Sequence, residues 1–256
     1  MGLMGVGLKV SVDKYLSKTL ALEGEALVEV KKGASLTSVA SQLGQSKIIV
    51  YPRVFVKVGQ FYGYGKSIKY GEYLFKPSDT YKDVLKKLSG GENYKYKVTF
   101  VEGEHMYHYA GLLEEAGLCP RDEFLGLTKD RGFISRLLGE NIASLEGYLF
   151  PETYSFSKAD GCKKIIGTMV KKFLEVSAPF VAQSKGLNRH EVVTLASIVE
   201  KETGAAFERP MISSVFHNRL KKRMRLQTDP TIIYGIMNET GKEITNIRKK
   251  DLKRPT

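Results

Sequence analysis

Val192, Leu195, Ile198 and Val199 recur at three- and four-residue spacing in the run Val192–Thr203, which places them on one apolar stripe of an α-helix. Four positions after Ile198 and three after Val199, the same stripe reaches Glu202. A carboxylate therefore continues a core-facing line. Burying it unpaired is costly, and the usual response is a raised pKa, which suits a general acid working near neutral pH. Glu200 lies about 160° around the helix from Glu202, so the two cannot share a face. This reading sets one of them to chemistry and leaves the other solvated. The plainer alternative is that Glu202 marks where a helix meets water.

The 256 residues can hold one large domain or two ordinary ones, and 42% hydrophobic content supplies a core. The formal charge is +12, and from Arg219 onward eleven Lys/Arg stand against four Asp/Glu, so the last stretch holds +7 of it. That excess points to an anionic neighbour: nucleic acid, an anionic membrane surface or an acidic cell-wall polymer. No zinc-finger spacing, aromatic RNA-binding signature or tryptophan accompanies the charge, so nucleic acid is not expected as a partner. Cys119 and Cys162 match no metal or redox spacing and read as two unpaired thiols. His105 and His108 are three apart without a third ligand in sight, so neither a metal nor a cofactor is expected.

Along the chain, Met1–Val10 is apolar but too short to cross a bilayer. Residues 26–30 alternate like a strand, 31–33 turn, and 35–43 carry helical spacing with Ser35 placed to cap. The apolar runs on either side of Pro52 fit either a short helix or a strand, with the proline at a boundary or in a first helical turn. Residues 68–75 read as a strand with a glycine bend, and 79–88 as a capped amphipathic helix closed by Gly90–Gly91. Residues 96–101 alternate again. From Met106 the pattern turns mainly helical, over 109–116, 121–127, 132–138, 162–176, 190–203 and 209–222.

Two further stretches carry candidate chemistry. Leu145–Phe156 is unusually aromatic and stiffened by Gly147 and Pro151; its rings and carboxylates suit the faces and hydroxyls of a sugar polymer, or else plug a core. Leu226–Thr231 follows the basic cluster Lys221–Arg225. Asp229 and Pro230 make a good helix start, whereas Gln227 and Thr228 have no evident structural task and fit as polar ligands. On the helix between, Ile212, Val215, Phe216 and Leu220 form the apolar face, leaving Arg209, Asn218 and Arg219 either to reach a substrate or to sit at the surface.

Taken together, Ala196–Thr203, Glu208–Arg209, Ser214–Leu220 and Met224–Gly235 resemble the bacterial endolytic murein transglycosylase (YceG-like) family in order and spacing. Glu146–Tyr154 is similar to that family's aromatic loop, Val98–Gly103 to its strand ending in Val-Glu-Gly, and Val28–Leu43 to a LysM-type peptidoglycan-binding module. The resemblance implies an α+β chain: residues 1–24 as a membrane-anchor remnant and linker, 25–95 as a LysM-like module, and 96–256 as a mainly helical catalytic domain with a few strands. It implies an enzyme anchored by a single membrane pass, with its catalytic domain outside the cytoplasmic membrane. The substrate would be nascent peptidoglycan strands, cut internally at the β-1,4 bond between N-acetylmuramic acid and N-acetylglucosamine to leave 1,6-anhydro ends.

Carried onto this sequence, the catalytic acid falls in Glu200–Thr203. Glu202 is chosen because the stripe points it inward and Glu202–Thr203 resembles the Glu-Ser pair of lysozyme-like transglycosylases. Gln227, Asp229, Asn218, Tyr148 and Glu152 are the expected substrate-positioning residues. Cell-wall synthesis enzymes and an anionic membrane surface are the implied partners. Two departures stand out: the family usually carries a membrane helix at its N-terminus, and it usually continues past the position of Thr256 with a glycine- and proline-rich segment. A non-catalytic peptidoglycan-binding scaffold is the competing expectation.

Overall fold

The computed structural model describes residues 2–66, 68–184, 186–241, 244, 246–249 and 251–253, with side chains from Lys9 onward apart from Lys66 and Lys253. The side chains of the apolar opening run up to Leu8, and several charged residues of the basic tail, lie outside the described residues. By internal contacts the chain forms two units: Met1–Val98 with Leu113–Cys119 and Tyr154–Cys162, and Thr99–Leu112 with Pro120–Thr153 and Lys163–Thr256. The fold is α+β, mainly helical, with two small sheets among the described residues.

In the first unit, β1 (Ala26–Val30) pairs antiparallel with β2 (Gly71–Phe75), with Val28 opposite Tyr73. The two-residue period of a strand turns Val28, Val30, Tyr73 and Phe75 into the core and leaves Leu27 exposed. Between these strands run α2 (Leu36–Gln45) and α3 (Pro52–Phe61), giving the order strand, helix, helix, strand. Ser35 caps α2 by accepting from the Ser38 amide at 3.1 Å. Pro52 stands in the first turn of α3, where its missing N–H costs nothing; the run after it is helix, whereas Ile48–Val50 before it is neither helix nor strand.

The expected strand over 68–75 begins only at Gly71, whose φ of +129° favours glycine, and a Cβ there would collide with Asn93 Oδ1. α4 (Tyr81–Gly90) opens with a reciprocal capping box between Thr80 and Asp83 and closes at Gly91 in the left-handed conformation. α1 (Gly2–Leu16) brings Leu16 into the same core as Leu36, Leu43, Phe55, Tyr81 and Leu85. Among the described residues no helix is long and apolar enough to cross a membrane.

β3 (Tyr96–Thr99) pairs with β4 (Thr153–Phe156), a strand that sequence patterning had merged into the aromatic stretch. The expectation of two unpaired thiols is corrected: Cys119 and Cys162 form a disulfide whose Cα atoms are 5.1 Å apart. Nothing local signals that pairing, because 43 residues separate the partners.

The second unit carries α5 (Met106–Glu115, its first seven residues), α6 (Arg121–Lys129), α7 (Arg131–Leu138) and α8 (Gly161–Gln183, from Lys163). It continues through α9 (Arg189–Glu202), α10 (Arg209–Lys221) and α11 (Asp229–Thr240). Leu195, Ile198 and Val199 of α9 bury against Phe216 of α10, with Leu187, Ile212 and Leu226 packed around them. The apolar spacing of α9 thus positions a helix pair whose far end carries the candidate site.

Candidate active site

α9 starts firmly: Asn188 accepts from the Glu191 amide at 3.0 Å, and the Glu191 carboxylate accepts from the Asn188 amide at 2.8 Å. It stops at Glu202, and Thr203 takes an extended conformation. Thr203 Oγ1 then donates to Glu208 Oε2 at 2.6 Å and accepts from the Ala205 amide at 3.0 Å, which pins the turn leading into α10.

Glu202 does not continue the buried stripe; it is exposed. The stripe ends with the helix, and no further turn exists to carry residue 202 into the core. Its carboxylate is held all the same, by a short hydrogen bond from Thr228 Oγ1. Thr228 is buried, at 4% exposure, and occupies the cap position of α11, so Glu202 is tied to a fixed point. Asp229 is the first residue of α11 rather than its cap, and no side chain caps this helix.

Gln227, just before, adopts a left-handed φ of +53° and is exposed, as Asp229 is. The loop bearing them is anchored by a short hydrogen bond from Arg219 Nη1 to the Leu226 carbonyl. The Thr228–Glu202 hydrogen bond thus sets Glu202 against the loop in which Gln227 and Asp229 flank Thr228. Asn218 is exposed on α10, one residue before that anchoring arginine. Lys221, Lys222, Arg223 and Arg225 are exposed beside the same loop.

Glu200 has a different environment. Its Oε1 lies 3.0 Å from Arg209 Nη2, and its side chain is 34% exposed. The Val101–Gly103 segment comes up against it, since a Cβ on Gly103 would sit 3.6 Å from the same oxygen. The Glu200 carboxylate is thus engaged in an ion pair with Arg209, which opens the helix that follows.

The aromatic stretch divides between the two roles set out for it. Tyr148 is wholly buried: its ring packs against Phe173 at 4.9 Å and its hydroxyl meets His190 Nδ1 at 3.0 Å, so no part of it is presented to a ligand. The expectation of direct substrate contact by Tyr148 is corrected on that ground. Glu152 is exposed, 3.4 Å from Lys172.

Glu146 is a residue that sequence patterning did not single out. Both its oxygens lie 3.2 Å from the Met106 amide at the start of α5, and Oε2 accepts from the Tyr234 hydroxyl of α11 at 2.9 Å. Burial pushes its carboxyl above the ordinary value of 4.5, against the lowering effect of these two donors and of His105. Burial first, and then the charge and hydrogen bond of Glu146, raise the Tyr234 phenol. The only local hint in the sequence is a glutamate inside an apolar aromatic run; its partner Tyr234 lies 88 residues on. Among the described residues no cluster of three or more His, Cys, Asp or Glu is arranged to hold a metal. His105 Nδ1 instead accepts from the His108 amide at 3.1 Å.

Residues 28–256 match the YceG-like family. The chain belongs to that family. A protein of Bacillus subtilis named endolytic murein transglycosylase is 30% identical to this YceG-like chain over 243 residues, covering 88% of the chain and 66% of the relative. One of the same name from Streptococcus pneumoniae is 27% identical over 238 residues, covering 81% of the chain and 42% of the relative. The YceG-like chain therefore spans just under two thirds of the first relative's length and less than half of the second's. A crystal structure of a yceG-like protein from Listeria monocytogenes superposes with a TM-score of 0.57 at 27% identity, covering 92% of this chain and 82% of that one.

Proposed function

We propose that the chain carries the catalytic centre of an endolytic lytic transglycosylase of peptidoglycan, with Glu202 as its single acid and base. The observation that carries this reading is the hydrogen bond from buried Thr228 to the Glu202 carboxylate, beside Gln227 and Asp229. An exposed carboxyl at a helix end is ordinary; one fixed in orientation beside a loop that exposes Gln227 and Asp229 is prepared for a ligand. Exclusion of water then comes from the glycan rather than from the protein core: a strand lying over Glu202 closes it off from solvent.

Protonated Glu202 gives its proton to the oxygen linking N-acetylmuramic acid C1 to N-acetylglucosamine. The resulting carboxylate takes the proton of the muramic C6 hydroxyl as that oxygen bonds to C1, closing the 1,6-anhydro ring. One bond forms, one breaks, and the proton balance closes on a single side chain. The nucleophile belongs to the substrate, so no second carboxylate is needed to activate water or form a covalent intermediate. Gln227, Asp229 and Asn218 position the strand, with Glu152 further along it. Tyr148 acts indirectly, by bracing the first turn of α9 through His190.

The strand-helix-helix-strand order of residues 26–75 supports a LysM-type glycan-binding role for the first unit. The disulfide supports a location outside the cytoplasm, where thiols are oxidised, and a membrane-tethered full-length protein fits that site of action. The basic loop Lys221–Arg225 suits an anionic membrane surface nearby, and enzymes of cell-wall synthesis are the expected protein partners.

Incubation of wild type and Glu202→Gln with purified murein tests the reading. Wild type releases 1,6-anhydro-muropeptides, and the variant loses activity by about a hundredfold or more, the contribution of a positioned general acid. If the two release equal amounts, the assignment of the acid is wrong. If neither cuts while both bind, the chain is a scaffold.

A further inference from the structure

The stretch around Glu146 touches four helices of the second unit at once: Tyr148 packs on Phe173 of α8, and further contacts reach α5, α9 and α11. Gly147, with a left-handed φ of +81°, lies so close to α9 that a Cβ there would stand 2.7 Å from Val193 Cγ1. Tyr148 reaches the first turn of α9 through His190 at 3.0 Å. The Glu146 carboxylate holds the first amide of α5 and the Tyr234 hydroxyl of α11. Tyr234 follows Thr228 by six residues on α11, and Thr228 is the residue that holds Glu202 at the end of α9. Two helices, α9 and α11, thus meet twice: once through the Glu146–Tyr148 segment and once through the Thr228–Glu202 hydrogen bond.

We infer that Glu146 is a positioning residue for the proposed reaction, fixing α11 against α9 through Tyr234 so that Thr228 stays in register with the Glu202 carboxylate. The inference rests on Glu202 being the acid. A rotation or slide of α11 that broke the Tyr234 contact would move Thr228 with it, because a helix transmits displacement along its length as a rigid element. The carboxylate would then lose the donor that sets its direction, while Gln227 and Asp229 would remain exposed for binding. The cost falls on the chemical step. Retaining a buried carboxylate where an apolar residue would pack more cheaply makes sense only if its two hydrogen bonds set geometry.

Steady-state kinetics on purified glycan strands, with thermal unfolding as a control, test this. Tyr234→Phe removes one hydroxyl and keeps the ring; kcat is expected to fall about tenfold, the loss of a hydrogen bond to a charged group, while KM stays within about twofold and folding is retained. Glu146→Gln retains activity close to wild type, because its amide oxygen can take the place of Oε2 and accept from both Met106 and Tyr234. Glu146→Ala loses at least as much kcat as Tyr234→Phe. In a Thr228→Val background, Tyr234→Phe produces little further loss, since the contact it protects is already gone. Unchanged kcat in Tyr234→Phe, or full additivity with Thr228→Val, overturns the inference. Retained activity in Glu202→Gln instead overturns the functional reading beneath it, so the two failures are separable.

Discussion

Glu200 and Glu202 stand two residues apart on one helix and meet opposite treatment: a guanidinium at 3.0 Å for the first and a threonine hydroxyl for the second. The first carboxylate is engaged in an ion pair, whereas the second is oriented by a single neutral donor. Glu146 gives a third case, a carboxyl pushed upward by burial. Its folded-state pKa lies above the unfolded one, so its contribution to stability is complete below about pH 4.5 and is lost as pH rises through the raised value. Denaturant unfolding of wild type and Glu146→Gln at pH 4.5 and pH 7 should show wild type losing more stability over that interval than the variant. Equal losses would mean that Glu146 ionises as freely in the folded chain as in the unfolded one.

At the level of elements, α9 carries the site because its two ends are fixed by different means, a capping box at Asn188 and the Thr228 contact at Glu202. Asn188→Ala is expected to cost about 1 kcal/mol of stability, measured by denaturant midpoint. Helical spacing made this element legible, and Leu195, Ile198 and Val199 are buried as their period requires. Glu202 was misplaced because periodicity assumes the helix goes on, and this one ends at that residue. The caps of α2 and α4 and the glycine after α4 were equally readable, since caps act within a few residues of the backbone they satisfy. β4 was not, because its four-residue alternation through Tyr154 and Phe156 follows directly on the aromatic run that holds Tyr148 and Phe150. The Glu146–Tyr234 and Thr228–Glu202 contacts were invisible for a plainer reason: they join residues 88 and 26 apart, and only the assembled helices bring them together.

For the molecule as a whole, the Cys119–Cys162 disulfide is the one covalent constraint among the described residues, closing a loop over a 43-residue separation. By limiting the unfolded chain it contributes about 2–4 kcal/mol, and reduction should lower the thermal midpoint reversibly, with recovery on reoxidation. An unchanged midpoint in the reduced protein would remove the constraint from the account. The family assignment rests on nearly the full length of the chain, while the chemistry rests on one side chain at the end of α9. The most direct measurement of that chemistry is the mass of the ends released from purified glycan strands digested in ¹⁸O-labelled water by wild type and by Glu202→Gln. Wild type should give anhydro ends free of ¹⁸O, because the attacking oxygen is the sugar's own, and the variant should give almost none. Labelled ends from wild type, or undiminished release by the variant, would contradict the account.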